Sequence, residues 1–191
     1  MYEIALTRLP ESICYLSSLD ELYVNFNRLT CLPDTIGNMA SLSTLDVSDN
    51  RLTCLPDSIC NLNSLTSLHV DGNRLTCLPD SIGNLKSLVV LHAANNLISC
   101  LPGSIGGLAL LSELYLYENK LNNLPDSIGT LSSLTVLNVS KNLLTNLPDS
   151  IGNLTNLTHL SLHRNPITST KEGQDKVKRR FERAGLTVHV K

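Results

Sequence analysis

Leucines and one asparagine recur along this chain at a fixed interval of 23 residues. Seven successive segments open with the pattern L-x-x-L-x-(V/L/A)-x-x-N, and six continue as x-(L/I)-x-x-L-P-x-(S/T)-I. Repetition at one fixed period indicates a stack of equivalent units, because a single unit of this length cannot bury its apolar face alone. A half repeat occupies residues 1–18, and full repeats begin at Leu19, Leu42, Leu65, Leu88, Leu111, Leu134 and Leu157.

Each repeat predicts one short β-strand followed by an irregular return. In LTSLHVDGN (residues 65–73), Leu65, Leu68 and Val70 have the spacing of a strand entered from a turn, and the residues between them point the other way. Such a strand is too short to stand alone, so successive repeats are expected to pair in a parallel sheet. A proline follows the leucine at the fourteenth position in six of the full repeats, and Pro10 holds the same place in the half repeat. This column favours short 3₁₀ turns or extended segments over long helices.

The asparagine column has a structural explanation. A coil that turns sharply after its strand leaves backbone polar groups buried, and an inward amide bonds such groups in adjacent coils. We therefore predict a ladder formed by Asn27, Asn50, Asn73, Asn96, Asn119, Asn142 and Asn165.

The repeat pattern resembles that of the leucine-rich repeat family over roughly residues 1–168. The 23-residue form with LPDSIGNL is similar to bacterial leucine-rich repeat proteins, many of them secreted effectors, and to an intracellular Ras-linked group of animals and plants. The near-identical repeats favour the bacterial group. The resemblance implies an α/β solenoid, that is, a right-handed leucine-rich repeat coil with a concave parallel β-sheet, which serves as a binding scaffold.

Residues 169–191 predict a C-terminal cap made of a helix and a strand. Ser169 and Glu172 have capping-box spacing, Gly185 marks the helix end, and residues 186–190 alternate as a terminal strand does. No comparable cap precedes the first repeat, where Met1–Ala5 offers at most a crude cover. The apolar stripe of the predicted helix consists of Val177, Phe181 and Ala184.

The outward strand positions are the candidate binding surface. The third, fifth, seventh and eighth positions of the repeat vary while the core positions do not, and they hold four of the seven aromatic residues. Exposed aromatic residues are typical of protein interfaces. The alternative is that outer positions tolerate any residue and that tyrosine simply favours strands. The predicted partner-binding residues are Tyr23, Phe26, Asp46, His69, Asp71, Val90, His92, Tyr115, Tyr117 and His163.

Charge and hydropathy exclude several classes of function. The net charge of −2 argues against a general nucleic-acid binder, and no run of 18 apolar residues predicts a membrane span. Seven basic and three acidic residues between positions 171 and 191 give the cap +4 and leave the repeats at −6. A solvated face explains the basic cap better than an anionic partner does.

Candidate chemistry is sparse. His69 and His92 should be neighbours across the sheet, flanked by Asp46 and Asp71, and such a set can hold Zn²⁺. An open surface is expected to lack supporting hydrogen bonds, so we predict a polar contact patch, sensitive to pH through its histidines, with no metal, no cofactor and no catalytic residue. The recurring serines occupy one repeat column and are interpreted as turn residues: Ser58, Ser81, Ser104, Ser127 and Ser150.

Four cysteines share one repeat column, at positions 31, 54, 77 and 100. The same column holds polar residues in other repeats, so we expect exposed free thiols, which fit a reducing, intracellular compartment. For a secreted bacterial effector that compartment is the host cytoplasm, although no signal peptide is visible at residues 1–12. Cys14 and Cys60 are separate, because they replace the glycine of the SIG motif.

The sequence thus predicts a non-catalytic protein-interaction module that binds a protein partner on its concave face. A bacterial effector acting on a host protein is one form of this hypothesis. Two alternatives stay open: a structural segment that self-associates through its uncapped N-terminal end, and the recognition part of a larger enzyme.

Overall fold

The sheet runs the length of the molecule. The computed structural model describes residues 5–181 and 187–189, and it contains an eight-stranded parallel sheet whose strand order follows the chain. Every strand is three residues long, and in the first seven the central residue is turned to the core. The strands are β1 (Glu21–Tyr23), β2 (Thr44–Asp46), β3 (Ser67–His69), β4 (Val90–His92), β5 (Glu113–Tyr115), β6 (Val136–Asn138), β7 (His159–Ser161) and β8 (Thr187–His189).

The strands pair without any register shift. From β1 to β7, each residue lies beside the residue 23 positions later, as Leu68 lies beside Leu91. Backbone hydrogen bonds continue past the strand ends, for example from the Val47 N–H to the His69 carbonyl at 2.9 Å. Side chains at one repeat position therefore form a straight row across the sheet. This geometry confirms the predicted α/β solenoid.

Short 3₁₀ turns return the chain on the opposite side, as the proline column predicts. Pro56 is extended, and its carbonyl accepts the Ile59 N–H at 3.0 Å, which closes a single turn. Because proline has no N–H to donate, the turn starts there and does not extend backwards. The 3₁₀ turns are Glu11–Tyr15, Ile36–Asn38, Asp57–Asn61, Ile82–Asn84, Gly103–Gly107, Asp126–Thr130, Asp149–Asn153 and Pro166–Thr168.

The core between the sheet and the turns is one continuous stack of aliphatic side chains. The inward leucines of the middle repeats, such as Leu68, Leu91 and Leu114, have no accessible surface. The glycine of the SIG motif lets neighbouring turns approach closely. A Cβ added at Gly83 would lie 2.0 Å from the carbonyl oxygen of Ser104 in the next coil.

The asparagine ladder is present as predicted. The Asn119 side chain accepts the Ile98 N–H of the preceding coil at 2.9 Å and donates to the carbonyls of Ala93 and Leu116 at 2.9 and 3.1 Å. Six of the seven members are buried, and Asn27 at the first coil is half-buried. The ladder thus satisfies backbone groups that the turn after each strand removes from the sheet.

The eighth repeat position differs from the prediction. It was expected to continue the outward strand face, but its backbone is left-handed, as at Phe26 (φ 54°) and Asp49 (φ 51°). Gly72 holds this position in one repeat with φ 62°. The left-handed residue turns the chain inward so that the following asparagine enters the core. Four further residues share the conformation: Asn95, Glu118, Lys141 and Arg164.

The C-terminal helix α1 (Lys171–Phe181) covers the last coil, and Val177 and Phe181 are buried as predicted. The predicted helix start is wrong by one residue. Ser169 ends the preceding 3₁₀ turn, where its hydroxyl donates to the Pro166 carbonyl, and Thr170 caps the helix by accepting the Gly173 N–H at 3.1 Å. The predicted roles of Ala184 and Gly185 lie outside the described residues, as does that of residues 1–4. None of the helices in the described ranges is long and apolar enough to cross a membrane.

All six cysteines are free thiols, and they fall into two groups. The repeat-column cysteines at positions 31, 54, 77 and 100 are exposed, whereas Cys14 and Cys60 are buried. Burial raises the pKa of the Cys60 thiol, and a hydrogen bond with Ser81 partly offsets this effect. The predicted exposure of the column is therefore confirmed.

These two groups of thiols should differ in reactivity. We expect four equivalents of thiol to react rapidly with a thiol reagent in the folded protein and all six after unfolding, because the thiolate of an accessible cysteine is the reacting species. A spectrophotometric thiol titration with and without denaturant measures this directly. Six fast equivalents in the folded state would contradict the buried placement of Cys14 and Cys60.

Candidate functional site

Three aromatic rings lie in a row across the middle of the sheet face. His69, His92 and Tyr115 occupy the fifth repeat position on β3, β4 and β5. The ring centroids of His69 and His92 are 4.6 Å apart, and those of His92 and Tyr115 are 4.4 Å apart, with interplanar angles of 52° and 55°. The unshifted register places these rings side by side, so the contact follows directly from the 23-residue period.

Asp71 completes this group from the seventh position, just beyond β3. Its Oδ1 accepts the Ala94 N–H at 2.8 Å, and its Oδ2 lies 3.6 Å from Nδ1 of His92. The two side chains are about one quarter and one third exposed, respectively. The Ala94 bond fixes the carboxylate and leaves its second oxygen directed toward His92. We call His69, Asp71 and His92 the histidine–aspartate cluster.

Two residues at the third position, Ser67 and Glu113, support the fifth-position rings, and neither is among the predicted partner-binding residues. The Ser67 hydroxyl lies 2.8 Å from Nε2 of His69, and the Tyr115 hydroxyl donates to Glu113 Oε2 at 3.0 Å. The signal was available, because residues two apart on a strand share one face. The expectation that an open sheet surface lacks supporting hydrogen bonds is therefore wrong.

The electrostatics of the cluster follow from its partial burial. Burial lowers the pKa of His92, although the Asp71 carboxylate opposes this effect. Burial raises the pKa of the Asp71 carboxyl, and the Ala94 N–H and the nearby histidines oppose that shift. Tyr115 also has a raised pKa, caused first by burial and then by its hydrogen bond to Glu113.

The cluster has the composition of a metal-binding group. One ligand atom from each of His69, Asp71 and His92 can be chosen so that all lie within 4.8 Å of one another. Asp46 lies beside His69 in the sheet register. However, its Oδ1 accepts hydrogen bonds from the Ser48 backbone and hydroxyl, and it is not part of this group.

Tyr23 and Phe26 form a separate aromatic surface at the first coil. They lie three strands from His92, or roughly 14 Å at the usual strand spacing. Phe26 is 76% exposed and left-handed, a conformation that is uncommon for a bulky residue. The Tyr23 hydroxyl donates to Glu21, and this bond is the main cause of a raised pKa for Tyr23.

The remaining predicted residues lie around these two surfaces. Val90 is half-buried on β4 beside Glu113, and Tyr117 is exposed after β5. His163 is half-buried after β7, three strands from His92. The ion pair between Lys141 and Glu118 occupies the eighth position nearby. The predicted residues thus do not form one patch. The central group on and just beyond β3–β5 is distinct from Tyr23, Phe26 and His163, and it consists of His69, Asp71, Val90, His92, Tyr115 and Tyr117.

Sequence comparison identifies the repeats. A family model described as a leucine-rich repeat region matches residues 25–97 and 91–178, which together cover most of the chain. The chain belongs to the leucine-rich repeat family. This membership agrees with the unshifted parallel strands and the asparagine ladder, and it confirms the resemblance drawn from the repeat pattern. A comparison with curated proteins found no match.

Solved leucine-rich repeat structures share this fold. A leucine-rich repeat protein of Leptospira interrogans aligns over 96% of this chain with 26% identity and a TM-score of 0.58. The ectodomain of the Arabidopsis thaliana receptor kinase GASSHO1/SCHENGEN3, solved with CASPARIAN STRIP INTEGRITY FACTOR 2, aligns over 83% with 31% identity and a TM-score of 0.77. The Arabidopsis receptor kinase HAESA, solved with the peptide hormone IDA and the co-receptor SERK1, aligns over 83% with 32% identity and a TM-score of 0.73.

This leucine-rich repeat protein spans only part of each of these relatives. It covers 58% of the Leptospira chain and 20% and 28% of the two plant chains.

Proposed function

We propose that this chain is a non-catalytic interaction module that binds a protein or peptide through the concave sheet face. The observation that carries the proposal is the central group on β3–β5, where His69, His92 and Tyr115 stack in a row with Tyr117 exposed beside them. Partly exposed aromatic side chains on a rigid surface are typical anchors of protein interfaces. The two plant relatives were solved with peptide or protein partners, which supports the same class of function.

The rigidity of the face favours binding. The rings are fixed by neighbours in the sheet and by bonds such as that from Tyr115 to Glu113. Fewer rotamers are therefore lost when a partner docks, which reduces the entropic cost of association. Phe26 adds a second argument, because a ring that is 76% exposed contributes little to the core and is a candidate contact.

Removal of both central tyrosine rings tests this proposal. We expect Tyr115→Ala combined with Tyr117→Ala to weaken partner binding by more than about tenfold, because truncated anchors of this kind cost 2 kcal/mol or more. A partner is first recovered by quantitative pull-down from bacterial and host lysates. The dissociation constant is then measured with the purified partner by calorimetry.

A matched control removes the same number of apolar side chains elsewhere. Leu97 and Leu143 are exposed and follow the asparagine column, outside the strands. The double variant Leu97→Ala with Leu143→Ala should bind as the wild type does. An unchanged dissociation constant for the tyrosine double variant, with its melting temperature preserved, would refute the concave-face proposal.

The cellular location is a further part of the proposal. Six free cysteines, four of them exposed, fit a reducing compartment better than an oxidising one. We propose an intracellular location for the chain. If the protein is a secreted bacterial effector, that location is the host cytoplasm. The similarity to a leucine-rich repeat protein of Leptospira interrogans supports a bacterial origin, and it gives no information on secretion.

Self-association is the second candidate function, and one observation favours it. Leu6, Tyr15 and Leu16 near the first coil are 44%, 73% and 52% exposed, so apolar surface is accessible at this end of the stack. Light scattering over a range of concentrations separates the two candidates. A dimer abolished by Tyr15→Ser and Leu16→Ser would favour assembly, whereas a monomer at all concentrations would leave partner binding as the function.

A further inference from the structure

We propose that the histidine–aspartate cluster is a Zn²⁺-binding site, with His69, Asp71 and His92 as its three protein ligands. Two imidazoles and one carboxylate are a ligand set that Zn²⁺ accepts with an open fourth position. This inference goes beyond the proposed function, because the metal would bind whether or not a protein partner is present.

The spacing of the ligand atoms is close to what the metal requires. Tetrahedral Zn²⁺ with N and O ligands places them about 3.3 Å apart. The distance from His92 Nδ1 to Asp71 Oδ2 is 3.6 Å, and all three candidate atoms lie within 4.8 Å of one another. Zinc binding would require the side chains to rotate so that the remaining difference closes.

Hydrogen bonds already orient two of the ligands. The Ala94 N–H holds one oxygen of Asp71 and leaves the other directed toward His92. The Ser67 hydroxyl lies 2.8 Å from Nε2 of His69 and so orients that ring. Supporting bonds of this kind fix ring orientation and tautomer in metal sites. They distinguish the cluster from a chance grouping of polar side chains.

The charges around the cluster favour a cation. Two further carboxylates flank the cluster: Asp46 is paired with His69 in the sheet register, and Glu113 is paired with Val90, two residues before His92. These carboxylates come from β2 and β5, so the cluster lies between acidic side chains on both sides. The parallel register holds all of them in place.

The fourth coordination position faces solvent. His92 and Asp71 are 33% and 24% exposed, so the side of the metal away from the sheet is accessible. A water molecule completes the coordination in the isolated chain. The open side also allows a small anion or a side chain of another protein to bind the metal directly.

Calorimetric titration with ZnCl₂ tests the site. The four exposed cysteines would compete for zinc, so the tag-free full chain is used with Cys31, Cys54, Cys77 and Cys100 replaced by serine. We expect one Zn²⁺ per chain. Loss of a ligand in His69→Ala or His92→Ala should weaken binding at least about tenfold, since even supporting residues contribute that much. Asp71→Asn, which keeps an oxygen for the Ala94 N–H, should weaken it similarly.

The matched control is His159→Ala. His159 is exposed on the same face at β7, three strands from His92, and its ring bonds Thr158. Its loss should leave zinc affinity unchanged. NMR of the histidine rings gives a second readout, in which zinc shifts the His69 and His92 signals but not that of His159.

Metal-free melting curves of each variant establish that the fold is retained. The proposal is overturned if the serine-substituted chain binds no zinc, if His69→Ala and His92→Ala bind as tightly as their parent, or if the His159 signal shifts together with the others.

Discussion

Replacement of Asn119 by alanine is expected to lower the free energy of unfolding by about 4 kcal/mol, because it orphans one buried donor and removes two further hydrogen bonds. The Ile98 N–H loses its only described acceptor in the side chain of Asn119. The Leu116 carbonyl keeps a bond from Asn142, so it is less affected. Denaturant unfolding followed by circular dichroism measures the loss.

Two other variants make this test specific. Asn123 is exposed, and Asn123→Ala should change the free energy of unfolding by no more than about 0.5 kcal/mol. Asn119→Asp keeps the shape of the side chain but directs a carboxylate oxygen at the Ala93 and Leu116 carbonyls, so it should be at least as destabilising as Asn119→Ala. A loss below about 1 kcal/mol in both Asn119 variants would show that the ladder is not what stabilises the turns.

Gly83→Ala is expected to lower the free energy of unfolding by about 3 kcal/mol, because overpacking against backbone cannot be relieved by a rotamer change. The added Cβ would lie 2.0 Å from the Ser104 carbonyl oxygen and 2.9 Å from the carbonyl carbon. The two coils must therefore separate locally. Thermal unfolding monitored by calorimetry should show a lower transition temperature.

Gly152 is the matched control for this prediction. It occupies the same position in the repeat that begins at Leu134, which is the last repeat with the SIG motif, and a Cβ there would meet nothing within 4 Å. Gly152→Ala should be neutral or slightly stabilising, because alanine reduces the conformational freedom of the unfolded chain. Cys60 also occupies this position, so the coil can accommodate a side chain where the next turn allows it. Equal effects of the two glycine variants would contradict a contact-based explanation.

Repetition explains why most of the fold was predictable. The sheet, the 3₁₀ turns, the asparagine ladder and the exposed cysteine column each depend on a residue type that returns every 23 positions. Where a feature occurs once, the sequence was less informative. The start of α1 was misplaced because Ser169 and Thr170 are both suitable N-cap residues. Ser169 ends the preceding 3₁₀ turn, so Thr170 caps the helix.

The sequence predicted which side chains of the candidate site align across the sheet, but it did not predict their contacts. The period alone places His92 between His69 and Tyr115. It does not give ring angles, and it does not reveal that the Ala94 N–H holds Asp71. Those details depend on rotamers and on where the chain leaves the strand. The same limit explains the left-handed eighth position, which residues as different as Phe26 and Lys141 adopt.

The unshifted register has a consequence for how such a chain changes over generations. Each coil bonds the next through equivalent atoms, and LTCLPDSI is identical at residues 52–59 and 75–82. Gain or loss of one whole 23-residue copy joins two coils whose mating surfaces already match, whereas a shorter insertion within a strand breaks the alignment of every row. The repeat is thus a unit of inheritance as well as of folding, and the sheet face can widen or narrow by one strand at a time.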